Sequence, residues 1–391
     1  MTRVAFLIAF SDRLLGQLNY FRNLFEALNN LDNNKIQPII ITGTSIDTKL
    51  LKNFPSCEII KSHFLDRKSL PWLTHKIFQH IFSKDFILNH ILKRNNIAVL
   101  SHSGSLGINS SIKTIGWIPD FQHKHLPELF SEIEIKYRDQ MHKKLCEECT
   151  CLVLSSHTAL NDLKTFHPNC SHKARVLQFV AGPMGNIDLP TLGTLEKQYH
   201  FSGPYFHLPN QFWVHKNHKV VIEALRILKN EGLEVQVVLT GKTFDPRQPN
   251  HYKQLLSLVE SYNLSNAIHI LGVVPYSHLI SLMKNAAAII NPSFFEGWSS
   301  TVEEAKTLGK RIILSDIPIH REQNPPGAFY FDPQNPNLLA QHIKEIIQSR
   351  TKEEENLRTE AEKNLVERKR IFAETYVNIV LNTIKADPQQ L

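Results

Sequence analysis

The stretch Asn291–Gly309, with the sequence NPSFFEGWSSTVEEAKTLG, decides the fold of this 391-residue chain. The apolar run Ala287–Ile290 just before it predicts a buried strand. The polar residues around Gly297 predict a turn, and Thr301–Leu308 predicts a helix that ends at the final glycine of the stretch. A strand that feeds a helix through a short turn is typical of an α/β protein.

Two carboxylates of this stretch are placed for ligand binding. Glu296 lies on the turn, and Glu304 lies one to two turns into the helix. In open α/β sheets, ligands bind at the carboxyl ends of the strands, where this turn is expected. The amide groups around Trp298, Ser299 and Ser300 lie at the predicted helix start, which favours a phosphate.

The stretch resembles the signature of the retaining glycosyltransferases of family 4, which have the GT-B fold. Their motif is two glutamates separated by seven residues in a Pro-Ser-x-x-Glu-Gly setting, and Glu296 and Glu304 match it, whereas Glu303 has the wrong spacing. The next segment, 311–322 (RIILSDIPIHRE), resembles the strand and turn that follow in the family. The resemblance implies a nucleotide-sugar donor and a saccharide or lipid-linked acceptor.

Length and composition are those of a two-domain globular protein, with 42% hydrophobic and 21% charged residues. Apolar runs stay below the roughly 18 residues that span a bilayer, and Val4–Phe10 predicts a first buried strand. The net charge of +7 leaves three alternatives open: peripheral contact with an anionic membrane, nucleic-acid binding, or a solvated lysine-rich surface. No recognition motif supports nucleic acid.

The five cysteines do not form the framework of a secreted protein. Cys146, Cys149 and Cys151 are close in sequence, but no second Cys/His cluster has the spacing of a zinc site. We expect a helix over 133–149 and a buried strand from Cys151, with the cysteines reduced. Reduced cysteines predict a cytoplasmic protein. A peripheral position on the inner face of the cell membrane is one of the alternatives that the basic surface leaves open.

Strand-like runs alternate with amphipathic helices twice along the chain. The first half contains the runs Val4–Phe10, Ile36–Thr42, Cys57–Ile60, Ile97–His102, Thr114–Ile118, Cys151–Leu154 and Arg175–Val180, with helical patterns at Leu18–Asn30, Leu70–Arg94 and Ser156–Phe166. The second half contains Tyr205–Leu208, Val235–Leu239, Ile268–Leu271 and Ala287–Ile290, with helices at Lys219–Asn230, Tyr252–Tyr262, Tyr276–Asn285 and Asn335–Gln348. This alternation predicts parallel sheets covered on both faces.

Periodicity fades between 182 and 204, where glycine and proline gather, so a linker is predicted there. The resulting architecture is two Rossmann-like domains with parallel sheets that face an interdomain cleft. Residues 1–185 form the acceptor-binding domain and 200–368 the nucleotide-sugar domain. The apolar helix 370–386 is expected to return to the first domain, as the last helix does in GT-B proteins.

Lys216 begins the first helix of the second domain, where its charge and the helix-start amides suit a diphosphate. The family has an arginine six residues before this lysine, but this chain has Asn210. Asparagine can bind phosphate but brings no charge.

Glycines after strands allow close approach of backbone to a ligand. Gly16 follows the first strand, and Gly241 and the pair Val273 and Val274 end strands of the second domain. The resemblance implies that these residues line the phosphate and base pocket, together with Gly297. A plain strand-to-helix turn is the alternative at Gly16.

The segment around 118–128 resembles a family pattern that usually reads His-Asp-Leu-Gln-His. Its first histidine is Pro119 here, while Asp120 and His123 remain. A histidine near the cleft could orient a sugar hydroxyl or carry a proton, and a structural histidine is the alternative. We expect Asp120 and His102 on the acceptor side.

The resemblance therefore implies a retaining glycosyltransferase of the hexosyltransferase type, acting in cell-surface polysaccharide or glycolipid synthesis. The resemblance implies that Glu304 holds the ribose, that Glu296 contacts the transferring sugar, and that Lys216 and the helix amides stabilise the leaving diphosphate. No cofactor is expected, and no Asp-x-Asp motif suggests a metal. A non-catalytic nucleotide-binding protein and another GT-B enzyme, such as a nucleotide-sugar epimerase, are the alternatives.

Overall fold

The computed structural model describes residues 1–8, 15–46, 51, 54–82, 84–108, 110–183, 187–349 and 352–386. Its contacts divide the chain into two compact units. Unit 1 comprises Met1–Phe121, Glu132–Val180 and Arg368–Leu391, and unit 2 comprises Gln122–Ser131 and Ala181–Glu367.

Each unit is built on a parallel sheet. Unit 1 has seven strands in the order β3-β2-β1-β4-β5-β6-β7, with bounds β1 Thr2–Ile8, β2 Ile36–Thr42, β3 Glu58–Lys61, β4 Val99–Ser101, β5 Lys113–Ile118, β6 Cys151–Leu154 and β7 Ala174–Val176. Unit 2 has six strands in the order β10-β9-β8-β11-β12-β13, with bounds β8 Tyr205–Leu208, β9 Gln236–Thr240, β10 Ile268–Gly272, β11 Ile289–Asn291, β12 Ile312–Ser315 and β13 Ala328–Phe331. All predicted strands are confirmed within a few residues, and the α/β class is confirmed.

The helices follow the strands in alternation. Their bounds are α1 Leu15–Asn29, α2 Leu70–Phe82, α3 Phe86–Arg94, α4 Gln122–His125, α5 Glu132–Glu148, α6 His157–Phe166, α7 Leu192–Tyr199, α8 His218–Asn230, α9 His251–Ser261, α10 Tyr276–Asn285, α11 Ser300–Leu308, α12 Pro318–Gln323, α13 Pro336–Gln348 and α14 Lys352–Lys385. The first strand was predicted to extend to Phe10, and residues 9 and 10 lie outside the described ranges.

Two predictions about helices are wrong in detail. The single helical pattern 70–94 is two helices, because Asp85 caps a new helix by accepting a hydrogen bond from the Leu88 amide at 2.9 Å. The predicted linker between 182 and 204 contains α7, which begins at the cap Thr191. Its Leu195 is fully buried against the α10 side of unit 2, so tertiary packing stabilises a helix that local composition did not indicate.

The core of unit 1 is aromatic and includes the end of the chain. The ring of Phe6 on β1 lies 5.1 Å from Phe21 and 4.9 Å from Phe25 on α1. Tyr376 on α14 is fully buried, and its hydroxyl donates to Ser101 Oγ at 2.9 Å. The last part of α14 therefore belongs to the core of unit 1.

The cysteines differ from the prediction in one respect. Cys146 and Cys170 are paired as a disulfide, so the expectation of reduced cysteines is wrong for this pair. Cys57, Cys149 and Cys151 are free thiols. Across the ranges that the structure describes, every helix is too short or too polar to cross a bilayer.

Candidate active site

The carboxyl ends of the strands of unit 2 lie at one edge of its sheet, because all its strands are parallel. Strand order reverses between β8 and β11, the two central strands. The gap that opens where strand order reverses is the usual ligand site of such sheets. The residues that follow β8, β9, β10, β11 and β12 therefore define the candidate site.

A buried amide links the two central strands at this point. Asn291 ends β11 and is fully buried. Its Oδ1 accepts hydrogen bonds from Asn210 Nδ2 at 2.9 Å and from Ser293 Oγ at 2.8 Å, while its Nδ2 donates to Ser299 Oγ at 2.8 Å. These bonds fix the loop after β8, the turn after β11 and the start of α11 relative to one another.

Glu296 and Lys216 form an ion pair in this site. Lys216 Nζ donates to Glu296 Oε1 at 2.6 Å, and the two side chains are 13% and 9% exposed. Ser293 Oγ lies 2.7 Å from Glu296 Oε1 as well as 2.8 Å from Asn291 Oδ1, so its single hydroxyl proton is shared between these two acceptors. Two residues that the sequence assigned to the sugar and to the diphosphate are thus in direct contact.

The pKa of Glu296 reflects two opposing effects. Burial alone would raise it, but the charge and hydrogen bond of Lys216, with the field of His320 and His215, lower the pKa to about 2. His320 is fully buried on α12, and its Nε2 has no hydrogen-bond partner among the described residues. Glu296 is therefore a carboxylate throughout the physiological range.

Glu304 has the opposite environment. It is 8% exposed on α11, and burial raises its pKa to about 7, although the Tyr276 hydroxyl donates to its Oε1 at 3.3 Å. No salt bridge to this carboxylate is found in the described part of the chain. A buried carboxyl group with a raised pKa is a candidate for ligand binding.

The start of α11 is only partly available to a phosphate. Ser299 caps the helix, and its amide donates to Gln323 Oε1 at 3.1 Å. A phosphate here would therefore meet the amides of Ser300 and Thr301, which lack helical partners by geometry, rather than that of Ser299. Gly297 and Trp298 are partly exposed beside it.

Glu303, whose spacing does not fit the motif, makes contacts within the fold. It is 1% exposed and accepts hydrogen bonds from Gln323 Nε2 at 3.0 Å and Lys306 Nζ at 3.4 Å. Its role is therefore to join α11 to α12.

The other predicted donor residues occupy different settings. Asn210 is 4% exposed and tied to Asn291, so its side chain is engaged in the fold. Gly241 has a φ of +137°, and a Cβ there would lie 2.5 Å from Asn210 O, which explains the glycine. Val273 is 70% exposed, whereas Val274 is partly buried against the apolar cluster that contains Leu195.

In unit 1 the predicted residues lie on or beside β1, β4 and β5. Gly16 is exposed in the first turn of α1 with open space around it. His102 follows β4, is 5% exposed, and has both ring nitrogens bonded, to Tyr20 Oη at 2.7 Å and to Ser101 Oγ at 2.8 Å. Burial lowers the pKa of His102 to about 3, so its ring is neutral. Asp120 is a partly buried residue just after β5.

His123 lies in a short segment that packs with the other unit. Residues 122–131 were predicted to belong to the first domain but group with unit 2. In this segment His123 is 1% exposed, and the ring of His125 lies 5.3 Å from that of Phe295. His123 therefore belongs to the same unit as Glu296.

Sequence reasoning missed three features of this site. The buried imidazole of His320 and the amide of Asn291 lay within quoted motifs, but their orientation depends on tertiary contacts. Arg247, in the loop after β9, contacts His215 next to Lys216, and no local pattern in the sequence indicated it.

Comparison with known proteins relates part of this chain to glycosyltransferases. Residues 204–364 match the family described as glycosyl transferases group 1. The chain is 26% identical over 144 residues to the O-antigen chain mannosyltransferase RfbU of Salmonella typhimurium, which covers 37% of this chain and 38% of that protein. The chain therefore spans well under half the length of this curated relative.

Solved structures are similar over the whole chain. A glycosyltransferase from Rickettsia africae has a TM-score of 0.69 at 17% identity and covers 99% of both chains. Anabaena Alr3699/HepE, solved with UDP and glucose, has a TM-score of 0.69 at 14% identity and covers 98% of this chain and 100% of its own. These likenesses confirm the GT-B fold.

The two glutamates predict opposite effects on stability. The pKa of Glu304 is about 7 in the folded protein and near 4.3 in an unfolded chain, so the folded state binds more protons between these values and stability falls as pH rises. Glu304→Gln removes this loss. The free energy of unfolding of Glu304→Gln minus that of wild type should therefore increase by about 2–3 kcal/mol between pH 4.5 and pH 8.

Glu296→Gln is the matched control in urea unfolding. The folded pKa of Glu296 is about 2, so its stabilisation is present above the unfolded value and is lost only as pH falls toward 2. This variant should show a constant deficit from pH 4.5 to pH 8. Parallel curves for Glu304→Gln and wild type would contradict the raised pKa.

Proposed function

We propose that this chain transfers a hexose from a nucleotide-diphosphate sugar to a hydroxyl acceptor, because residues 204–364 match the family described as glycosyl transferases group 1 and the whole chain has the GT-B fold. The acceptor is a saccharide or a lipid-linked saccharide of a cell-surface polysaccharide or glycolipid. The observation that carries this proposal is the Lys216–Glu296 pair at the carboxyl edge of the unit 2 sheet.

The relatives support the donor class. One relative is by name a mannosyltransferase, and one structure of the same fold holds UDP and glucose. Both fit a nucleotide diphosphate that carries a hexose.

Each charged group has a role that its surroundings suit. Glu304 accepts hydrogen bonds from the ribose hydroxyls, and Glu296 accepts one from the transferring sugar. Lys216 moves from Glu296 to the diphosphate, where negative charge grows as the glycosidic bond breaks. Ser293 keeps Glu296 in place when this ion pair opens, because its own hydrogen bond of 2.7 Å remains.

The transfer proceeds with retention. The bond between the anomeric carbon and the diphosphate oxygen breaks with its electron pair on the phosphate, and the acceptor oxygen forms the new bond on the same face. The acceptor proton goes to the leaving phosphate. His123 orients a sugar hydroxyl, and Asp120 and His102 are assigned to the acceptor side.

Product analysis tests this function against its two alternatives. Wild-type protein is incubated with UDP- and GDP-hexoses, with and without saccharide acceptors, and the products are identified by NMR. A new glycoside with the donor's anomeric configuration supports the proposal. An altered hexose formed without acceptor indicates an epimerase, and binding without turnover indicates a non-catalytic protein.

Glu304→Ala should weaken binding of the nucleotide diphosphate. A hydrogen bond to a charged group is worth about 1.5–3 kcal/mol, so the affinity should fall roughly ten- to a hundredfold. Wild-type affinity should also rise with pH through about 7, as Glu304 ionises, and Glu304→Gln should lose this rise. Calorimetry at pH 6 and pH 8 measures the loss of affinity and its pH dependence. Unchanged affinity in folded Glu304→Ala would refute the role of Glu304 in nucleotide binding.

Lys216→Ala and Glu296→Gln form the comparison for catalysis. Each should reduce kcat more than it weakens nucleotide binding, since loss of one preorganised contact costs roughly 3–4 kcal/mol in known cases. Equal losses in rate and binding would mean that these residues bind ground and transition states alike.

The activity should need no divalent metal. The described residues contain no group of three or more His, Cys, Asp or Glu side chains placed to hold an ion, and Lys216 and the α11 amides supply the opposing charge. Turnover should persist in excess EDTA. Loss of activity that Mg²⁺ or Mn²⁺ restores would overturn this proposal.

A peripheral membrane contact is proposed for α2. Leu70, Leu73 and Ile77 are 78%, 48% and 48% exposed at helical spacing on one face, and Arg67 and Lys76 are exposed nearby. The protein should sediment with vesicles that contain phosphatidylglycerol, less so at high salt. Leu73→Asp should abolish this, while Val366→Asp, at a residue 74% exposed on α14, should not. Equal behaviour of both variants would exclude α2 as the contact.

A further inference from the structure

Arg247 lies at the carboxyl edge of the unit 2 sheet, and each of its three guanidinium nitrogens makes only a long hydrogen bond. Its Nε is 3.3 Å from Asp245 Oδ1, its Nη1 is 3.3 Å from Gln122 Oε1, and its Nη2 is 3.4 Å from His215 Nδ1. Yet the side chain is only 15% exposed. Charge-assisted hydrogen bonds are normally about 2.7–2.9 Å long, so these three are weak for a mostly buried cation.

Other arginines in the chain show what a satisfied guanidinium looks like. Arg3 meets Glu58 through two bonds of 2.9 Å, and Arg321 meets Asp316 through bonds of 2.6 and 2.7 Å. Both terminal nitrogens of Arg247 instead meet neutral acceptors. The long contacts at Arg247 are therefore a local property of this edge.

Asp245, the carboxylate beside Arg247, is shared with backbone groups. Asp245 is 2% exposed and accepts hydrogen bonds from the amides of Arg247 at 3.0 Å and Val214 at 3.3 Å. These bonds join the loop after β9 to the turn that carries Lys216. Asp245 thus holds the base of Arg247 in place without occupying the outer nitrogens of the guanidinium.

Two aromatic rings lie beside this guanidinium. Its carbon lies 5.1 Å from the ring centroid of Phe130 and 5.7 Å from that of Trp213. Arginine favours such stacking because its charge is planar and weakly hydrated. These rings and the contact of its Nε with Asp245 restrict the movement of the guanidinium, and a restricted group loses less entropy when a ligand binds.

The positive charges of Arg247 and Lys216 both act on His215. Burial lowers the pKa of His215 to about 3, and the positive charges of Lys216 and Arg247 both lower it while Glu296 opposes them. His215 is thus a neutral residue within the field of two cations. Asn210, by contrast, is bonded to Asn291 and cannot supply a second charge.

We propose that Arg247 is the second cation of the donor site and binds the diphosphate through its two outer nitrogens, while its Nε stays on Asp245. Phosphate oxygens replace the neutral acceptors of Gln122 and His215, and Lys216 completes the site from the adjacent turn. The proposal rests on the proposed function, because it assumes that the anion is the diphosphate of the donor.

The test measures affinity of wild type, Arg247→Ala and Arg247→Lys for UDP, GDP, uridine, guanosine and inorganic pyrophosphate. Arg247→Ala should lose about ten- to a hundredfold in affinity for pyrophosphate and for the preferred nucleotide diphosphate, with nucleoside affinity unchanged. The affinity of Arg247→Lys should lie between those of wild type and Arg247→Ala, since lysine keeps the positive charge but not the paired N–H donors of the guanidinium. The loss should shrink at high salt.

Arg226→Ala is the matched control, since Arg226 also stacks on a ring, 4.6 Å from that of Tyr262, but lies away from the strand ends on α8. It should bind every probe as wild type does. Unchanged pyrophosphate affinity in folded Arg247→Ala, or equal losses for nucleoside and diphosphate, would overturn the role of Arg247. Pyrophosphate binding that depends on Arg247 in a protein that binds neither nucleotide would instead overturn the proposed function alone.

Discussion

The buried amide of Asn291 is the interaction on which the geometry of the site depends. It accepts from Asn210 and Ser293 and donates to Ser299, so every polar atom of its side chain is satisfied. A buried amide left without partners would be costly, and these bonds therefore fix three loops at once. Through them the turn with Glu296 and the helix with Glu304 keep a constant relation to the ends of β8 and β11.

Surroundings, rather than residue type, distinguish the two glutamates. Glu296 has a lysine and a hydroxyl as partners and stays ionised, while Glu304 has one weak hydroxyl contact and a pKa of about 7. An ordinary core would not contain a carboxyl group with a single weak hydrogen bond, as Glu304 has, because burying such a group costs stability. The fold tolerates this cost where a ligand with several hydroxyl groups is expected to offset it.

Much of the fold could be predicted from the periodicity of apolar residues in the sequence, but less of the site could. The strands Ile36–Thr42 and Tyr205–Leu208 were predicted at their observed bounds, because each is a short apolar run between clear breaks. Arg247 was missed, since its position depends on how a long loop packs onto Trp213 and Phe130. The disulfide between Cys146 and Cys170 was missed because spacing along a sequence does not show which thiols meet in space.

The return of α14 to unit 1 reverses the usual order of folding during synthesis. Phe372, Tyr376 and Val380 are 2% exposed or less in the core of unit 1, and Tyr376 bonds to a serine 275 positions earlier. The sheet of unit 2, between 205 and 331, leaves the ribosome before them. Domains generally fold from the N-terminus onward, but here the core of unit 1 is complete only when the last helix has been made.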